Sequence, residues 1–219
     1  TAPDTDAEPA EPAVPLTFQY INKFYYPLAL TSMLTLGVHP LITFFIGKSQ
    51  MALESLAVLP VVSSFVFLFR GVGLSFQEAA ITMLGSNKEN DKAIYKFAAV
   101  LGLTLASALI ITAITPLSKL WFSKVSGLSA ELTGLALTPL LIMGLFPAST
   151  VLISMQRAIL VKDGQTSPIT NATIIEVLTI ISVLYISIIH LSAVGVVAAA
   201  SAFLSGRLAA NTYLYFKTR

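Results

Sequence analysis

Hydrophobic positions in this chain come in long blocks, with polar residues gathered into the gaps between them. From residue 24 onward six apolar segments stand out, at about 24 to 47, 55 to 84, 93 to 117, 130 to 156, 168 to 190 and 193 to 216. Each is at least as long as the roughly 20 residues that a helix needs to cross the ~30 Å hydrocarbon layer. Strands of a membrane barrel would be only about 10 residues long and would alternate apolar with polar positions. In lipid, only helices and closed barrels satisfy every backbone polar group. The pattern therefore predicts an all-α membrane protein, a bundle of six transmembrane helices. The connections, Gly47 to Glu54, Gly85 to Lys92, Ser118 to Ser129, Lys162 to Ser167 and a turn around His190 to Ser192, leave no room for a domain outside the membrane.

Composition agrees. Of 219 residues 55% are hydrophobic and only 11% charged, with a mean hydropathy of +0.81, whereas a soluble domain carries about 25% charged residues. Residues 1 to 16 differ from the rest: four prolines and the four acids Asp4, Asp6, Glu8 and Glu11 interrupt any apolar period. This segment reads as a disordered Pro/Ala linker with no basic or apolar region of a secretory signal. A chain that begins in such a linker is expected to be part of something longer, with residues 17 to 219 forming the membrane lobe. A net charge of +2 without basic clusters argues against nucleic acid as a partner. The absence of cysteine excludes disulfides, thiol nucleophiles and Cys-bound zinc.

Orientation follows from the basic residues. Lys23, Lys88, Lys92, Lys96, Arg157, Lys162, Lys217 and Arg219 fall on the side of the N-terminus, against Lys48, Lys119 and Lys124 on the other. This bias predicts both termini in the cytoplasm, of a plasma or inner membrane. The stretch Lys119-Leu-Trp-Phe-Ser-Lys-Val would then be an interfacial turn on the outer surface, with Trp121 at headgroup level.

Within the spans, Pro40, Pro60, Pro139 and Pro147 are candidates for kinks that line a cavity, His39-Pro40 and Phe146-Pro147 foremost. In the last span Ala198, Ala202, Gly206 and Ala210 recur every four residues and predict close helix packing. Ionisable groups are more informative, since each costs at least ~2.5 to 3.5 kcal/mol at the bilayer centre and persists mainly beside water or a partner. They are His39, Arg70, Glu78, Glu176 and Arg207. Arg70 and His39 fall near the midplane and are the candidate substrate contacts, with Gly71 and Gly73 expected to loosen the helix around the arginine. Glu78, Glu176 and Arg207 share a depth in the cytoplasmic half, and two readings stand for them. Arg207 and Glu176 form a structural ion pair, or Glu78 or Glu176 serves as a proton or cation site.

The chain has two histidines, and after residue 20 its only aspartates are Asp91 and Asp163. No HExxH pair, paired-aspartate metal motif, nucleophile triad or Walker A loop is present, so no enzyme activity, metal or cofactor is expected. Asn171-Ala-Thr173 matches a glycosylation triplet but lies inside a predicted span on the cytoplasmic side.

The order of several short features resembles a known superfamily. Phe24-Tyr25-Tyr26-Pro27-Leu28-Ala29-Leu30 opens the first span, Thr115-Pro116 ends the third, Pro139-Leu140 and Phe146-Pro147 mark the fourth, and Gly195 to Tyr215 runs from small residues into Tyr-x-Tyr. Together they resemble the C-terminal lobe of a transporter of the multidrug/oligosaccharidyl-lipid/polysaccharide exporter superfamily, with MATE-like architecture, and within it the progressive ankylosis family of exporters. The resemblance implies one lobe of a two-lobe secondary transporter. Its first two helices would line a central cleft, and its partner would be a second six-helix lobe, either a missing N-terminal half or a homodimer mate. It implies export of a small organic or phosphate-bearing anion by alternating access. A lipid-linked saccharide flippase, a cation-coupled multidrug antiporter, and a non-transporting membrane partner or scaffold half stay open as alternatives.

Overall fold

A computed structural model describes residues 18 to 84 and 88 to 218, so the linker expected at residues 1 to 16 lies outside the described residues. The described residues are helical almost throughout. In chain order they form α1 (Phe18–Ile46), α2 (Ala52–Met83), α3 (Lys88–Ile114), α4 (Pro116–Leu120), α5 (Ala130–Ile142), α6 (Phe146–Lys162), α7 (Ser167–Tyr185) and α8 (Gly195–Lys217). A 3-10 turn at Met143–Leu145 joins α5 to α6, making Ala130–Lys162 one spanning unit. Five helical segments, Ala29–Ile46, Ala52–Met83, Lys92–Ile114, Ala130–Lys162 and Ser167–His190, are long and apolar enough to cross a membrane. The sixth expected span is also a helix, α8, of 23 residues. It is less apolar than the others because it carries Ser201, Ser205, Arg207, Asn211 and Thr212.

Helix ends follow local chemistry. Ser129 caps α5, its hydroxyl accepting from the Leu132 amide at 3.3 Å, with Glu131 in the first turn facing the positive end of the helix dipole. Pro116, Pro147 and Pro168 occupy the first turns of α4, α6 and α7, where a missing amide hydrogen costs nothing. Pro147 lies just past the 3-10 turn that interrupts the span Ala130–Lys162. Gly164, at φ 69°, ends α6, with Gln165 N donating to Leu160 O at 2.8 Å and Gly164 N to Val161 O at 3.1 Å. The predicted outer turn is α4 followed by a π-helical turn, Trp121–Val125; Phe122 is fully buried there and Trp121 packs on Phe65, ring centroids 5.2 Å apart.

The bundle is organised around α8, which packs most extensively on α7 and also touches α1, α2, α5 and α6. The small-residue stripe is buried as expected, at Ala198, Ala202, Gly206 and Ala210. A Cβ placed on Gly206 would meet Ile180 Cγ1 at 2.7 Å and Glu176 O at 2.9 Å, so only glycine permits this approach of α7 to α8. Polar side chains fasten the inner helices: Gln156 Nε2 donates to Asn211 O, and Asn211 Nδ2 to Ser149 O, both at 3.0 Å. Gly71 and Gly73 leave α2 unbroken, contrary to the expected loosening. Gly73 instead admits α6, since an added Cβ would lie 3.0 Å from Val151 Cγ2.

Apolar burial is split. One cluster joins α2, α3, α5 and α8 around Phe65, Leu109, Phe122 and Leu140. A second joins α1, α7 and α8 around Ile42, Ile180 and Ala199. A third joins α2, α3 and α6 around Phe76, Ala98 and Met155. Residues of the first two clusters border a polar cavity.

Candidate functional site

The cavity holds about 210 Å³ and is walled by α1, α2, α6, α7 and α8. Arg70 from α2, Arg157 from α6 and Arg207 from α8 line it, together with Glu176 from α7 and His39 from α1. All five come from different helices, and the packing of the four that carry the charged groups is fixed by small residues or buried amides. The groups that carry charge are therefore set by the rigid part of the fold.

Arg207 Nη2 lies 3.0 Å from Glu176 Oε1, with both side chains nearly buried. The structural ion pair expected between them is present. It consumes the cavity's one carboxylate and leaves Arg70 and Arg157 without an acidic counterpart among the lining residues. Arg70 and Arg207 both stack on the buried ring of Phe146, with guanidinium carbons 5.1 and 5.2 Å from its centroid. Such contacts contribute roughly 0.5 to 2 kcal/mol each, less than the cost of desolvating a cation. The ring draws the two guanidiniums to one side of the cavity. The Nε atoms of Arg70, Arg157 and Arg207 are all buried with no hydrogen-bond partner among the described residues.

His39 lies on the exposed side of α1 at the rim, its ring 6.4 Å from that of Phe203, and Thr43 Oγ1 donates to its backbone carbonyl at 3.0 Å. Glu78 is exposed on α2 and does not line the cavity. The structure brings Arg70, His39, Glu176 and Arg207, read from the sequence as two groups at different depths, into one neighbourhood, and leaves Glu78, expected at the depth of Glu176 and Arg207, outside it. Phe146, named in the sequence as part of a cavity-lining kink, does line the cavity, but Arg157 is missed. The apolar run ends at residue 156 and puts Arg157 in a cytoplasmic connection, whereas α6 continues to Lys162 and Arg157 lines the cavity. Its removal from the surface tally leaves seven basic residues on the N-terminal side, and the charge bias stands. The available signal was spacing: Arg157 follows Gln156 and precedes the buried Ala158 and Leu160, so polar and buried positions continue past the boundary. Asn171, of the glycosylation triplet, donates through Nδ2 to the Tyr213 hydroxyl at 3.3 Å.

Chemically, the lining offers several guanidinium donors around a small volume and a single carboxylate already paired. That arrangement suits an oxyanion. Among the described residues no cluster of three or more histidines or acids could hold a metal.

No family model matches the sequence, and no curated protein matches it. Among solved structures the fold is similar to that of a multidrug resistance MATE family transporter of the MOP superfamily in an inward-facing conformation. The TM-score is 0.64 at 21% identity, covering 87% of this chain and 44% of that one. The chain therefore has the fold of part of such a transporter and spans less than half of its length.

Proposed function

We propose that the chain is a six-helix lobe of a secondary transporter of the multidrug/oligosaccharidyl-lipid/polysaccharide exporter superfamily, allied to the progressive ankylosis exporters, that moves a small organic or phosphate-bearing anion. Residues 17 to 219 are the lobe, and a second six-helix unit completes the transporter, so that the two rock about a site near the midplane. The lobe sits in a plasma or inner membrane with both termini cytoplasmic, as the lysine bias suggests. Transport, not catalysis, is its activity.

One observation carries the reading: three arginines from three helices line a cavity in which the only carboxylate among the described residues is already paired. An intramembrane cation without a counter-ion is costly, and a bound anion supplies what is missing. Volume supports a small cargo, since about 210 Å³ falls below the roughly 300 to 1,000 Å³ of sites for drug-sized ligands. A lipid-linked saccharide would need more room.

Anion flux into vesicles containing the complete transporter tests the assignment. Arg70→Ala should reduce flux at unchanged membrane abundance, and Arg70→Lys should restore part of it, because lysine keeps the charge but loses the planar fork. Unchanged flux in Arg70→Ala removes this residue from the site. Loss of flux in Glu176→Gln alone, with dependence on a cation gradient, would favour the antiporter reading instead.

A further inference from the structure

A second concavity, unrelated to the arginine cavity, lies between α3 and α6 on the outside of the bundle. It is a trough of about 590 Å³, walled on α3 by Tyr95, Ala99 and Gly102, on α6 by Ala148, Leu152 and Met155, and also lined by Tyr215 of α8 and Thr218 just past its end. Small side chains hollow it. Gly102 faces Ala148, where an added Cβ would lie 3.5 Å from Ala148 Cα, so the two helices touch backbone to backbone at its floor. Its wall on α3 runs from Tyr95 to Leu103, about 12 Å along the helix axis, most of the depth of one leaflet of a ~30 Å hydrocarbon core.

The two walls end in lysines. Tyr95, Ala99 and Gly102 follow the helical period, and the same stripe continues one turn outward to Lys92 with Lys96 at its flank, both exposed. On α6, Lys162 lies one turn beyond Ile159 and donates to the Leu84 carbonyl. In sequence, the charges at this end of the two helices are Lys88, Lys92, Lys96 and Lys162 against Glu89, Asp91 and Asp163, a small positive excess. Lysines at the end of a membrane helix extend their ammonium groups to the headgroup layer while their methylenes lie on apolar surface. An apolar trough one leaflet deep, closed at its headgroup end by net positive charge, has the two-part chemistry of an anionic phospholipid.

We propose that the trough between α3 and α6 binds an anionic phospholipid, one acyl chain lying along Ala99, Gly102 and Ala148 and the phosphate meeting Lys92 and Lys96. The inference concerns the outer surface of the lobe and is independent of what the arginine cavity carries.

Photolabelling tests it on the full chain in phosphatidylcholine vesicles containing about a tenth phosphatidylglycerol, with a trace of either lipid bearing a diazirine on its acyl chain. Peptides of α3 and α6 that wall the trough should be labelled about five- to twentyfold more by the phosphatidylglycerol probe, the preference that one to two lysines provide. Lys92→Gln combined with Lys96→Gln should bring that probe down to the phosphatidylcholine level. Both lysines are exposed, so the variant is expected to fold; co-elution with the parent chain in detergent checks this. Ala99→Phe, which fills the trough, should reduce labelling by both probes. Equal labelling by the two probes would overturn the headgroup assignment and leave ordinary boundary lipid. Absence of labelling, as a protein partner covering the trough would give, would overturn the site altogether.

Discussion

Arg207 and Glu176 neutralise each other across 3.0 Å, so the uncancelled charge of the cavity belongs to Arg70 and Arg157. Two like charges facing one small cavity repel each other, more strongly than they would in water. A buried donor left unmade costs roughly 1 to 3 kcal/mol, and three buried Nε groups are in that state. An oxyanion held among them relieves both costs at once. Arg157→Ala should therefore weaken anion binding about ten- to hundredfold, the value of one charge-assisted hydrogen bond, in an equilibrium titration of the solubilised protein. A binding constant unchanged by this substitution would return Arg157 to a purely structural role. Removal of Arg207 has a different consequence, because it strands Glu176. Arg207→Ala should destabilise the fold by about 3 to 5 kcal/mol, read from reversible unfolding in mixed micelles. Addition of Glu176→Gln should recover most of that loss. If the double variant is no more stable than Arg207→Ala, the pair is not what holds the two helices at this depth.

Helix α8 connects packing to the cavity, and Gly206 is where the connection is tightest. Its neighbour Arg207 faces the cavity, while the glycine itself rests on Ile180 and on the carbonyl of Glu176. Gly206→Leu has to push α7 away and Glu176 with it. Overpacking of this kind costs about 1 to 3 kcal/mol, and here it should also break the ion pair. Both lower stability and a changed anion affinity are expected, whereas Gly134→Leu, at a glycine on α5 with open space around it, should change neither. Equal effects at the two positions would mean that the α7–α8 approach does not set the cavity. This stripe was legible in the sequence because lipid offers no hydrophobic drive for helix association, so small residues every four positions have few other reasons to recur. Arg70 and Arg207 were legible for a related reason, their depth in apolar runs. Arg157 was not, because segmenting an apolar chain at its charges cuts a helix where a buried charge sits. Phe146-Pro147 was legible as a cavity-lining kink, but not as the ring beneath two guanidiniums. Nothing in a hydrophobic block tells which ring will meet them, and the 3-10 turn at Met143–Leu145 beside it brings Gly144 against Ile110 on another helix.

At the scale of the whole molecule, α1 leans on α7 and touches α2 only slightly. Its other face is open: Met33 and Leu36 are 72% and 75% exposed, and His39 stands at the rim of the cavity one turn further on. In a two-lobe transporter such a face borders either the cleft or the surrounding lipid, and these differ in access to water. The chain contains no cysteine, so a single introduced thiol reports on one position without background. Leu36→Cys in the complete transporter, treated with a membrane-impermeant maleimide, should react if α1 lines the cleft. Saturating anion should slow that reaction several-fold by closing or filling the space beside His39. Phe67, exposed on α2 and three residues before Arg70, should behave in the same way as Phe67→Cys, whereas Leu103→Cys, exposed on α3 beside the lipid trough, should resist the reagent with or without anion. Reaction at Leu103→Cys together with silence at Leu36→Cys would invert the lobe: α1 would face lipid, the cleft would lie along α3, and the arginine cavity would be a sealed structural core with no path for a solute.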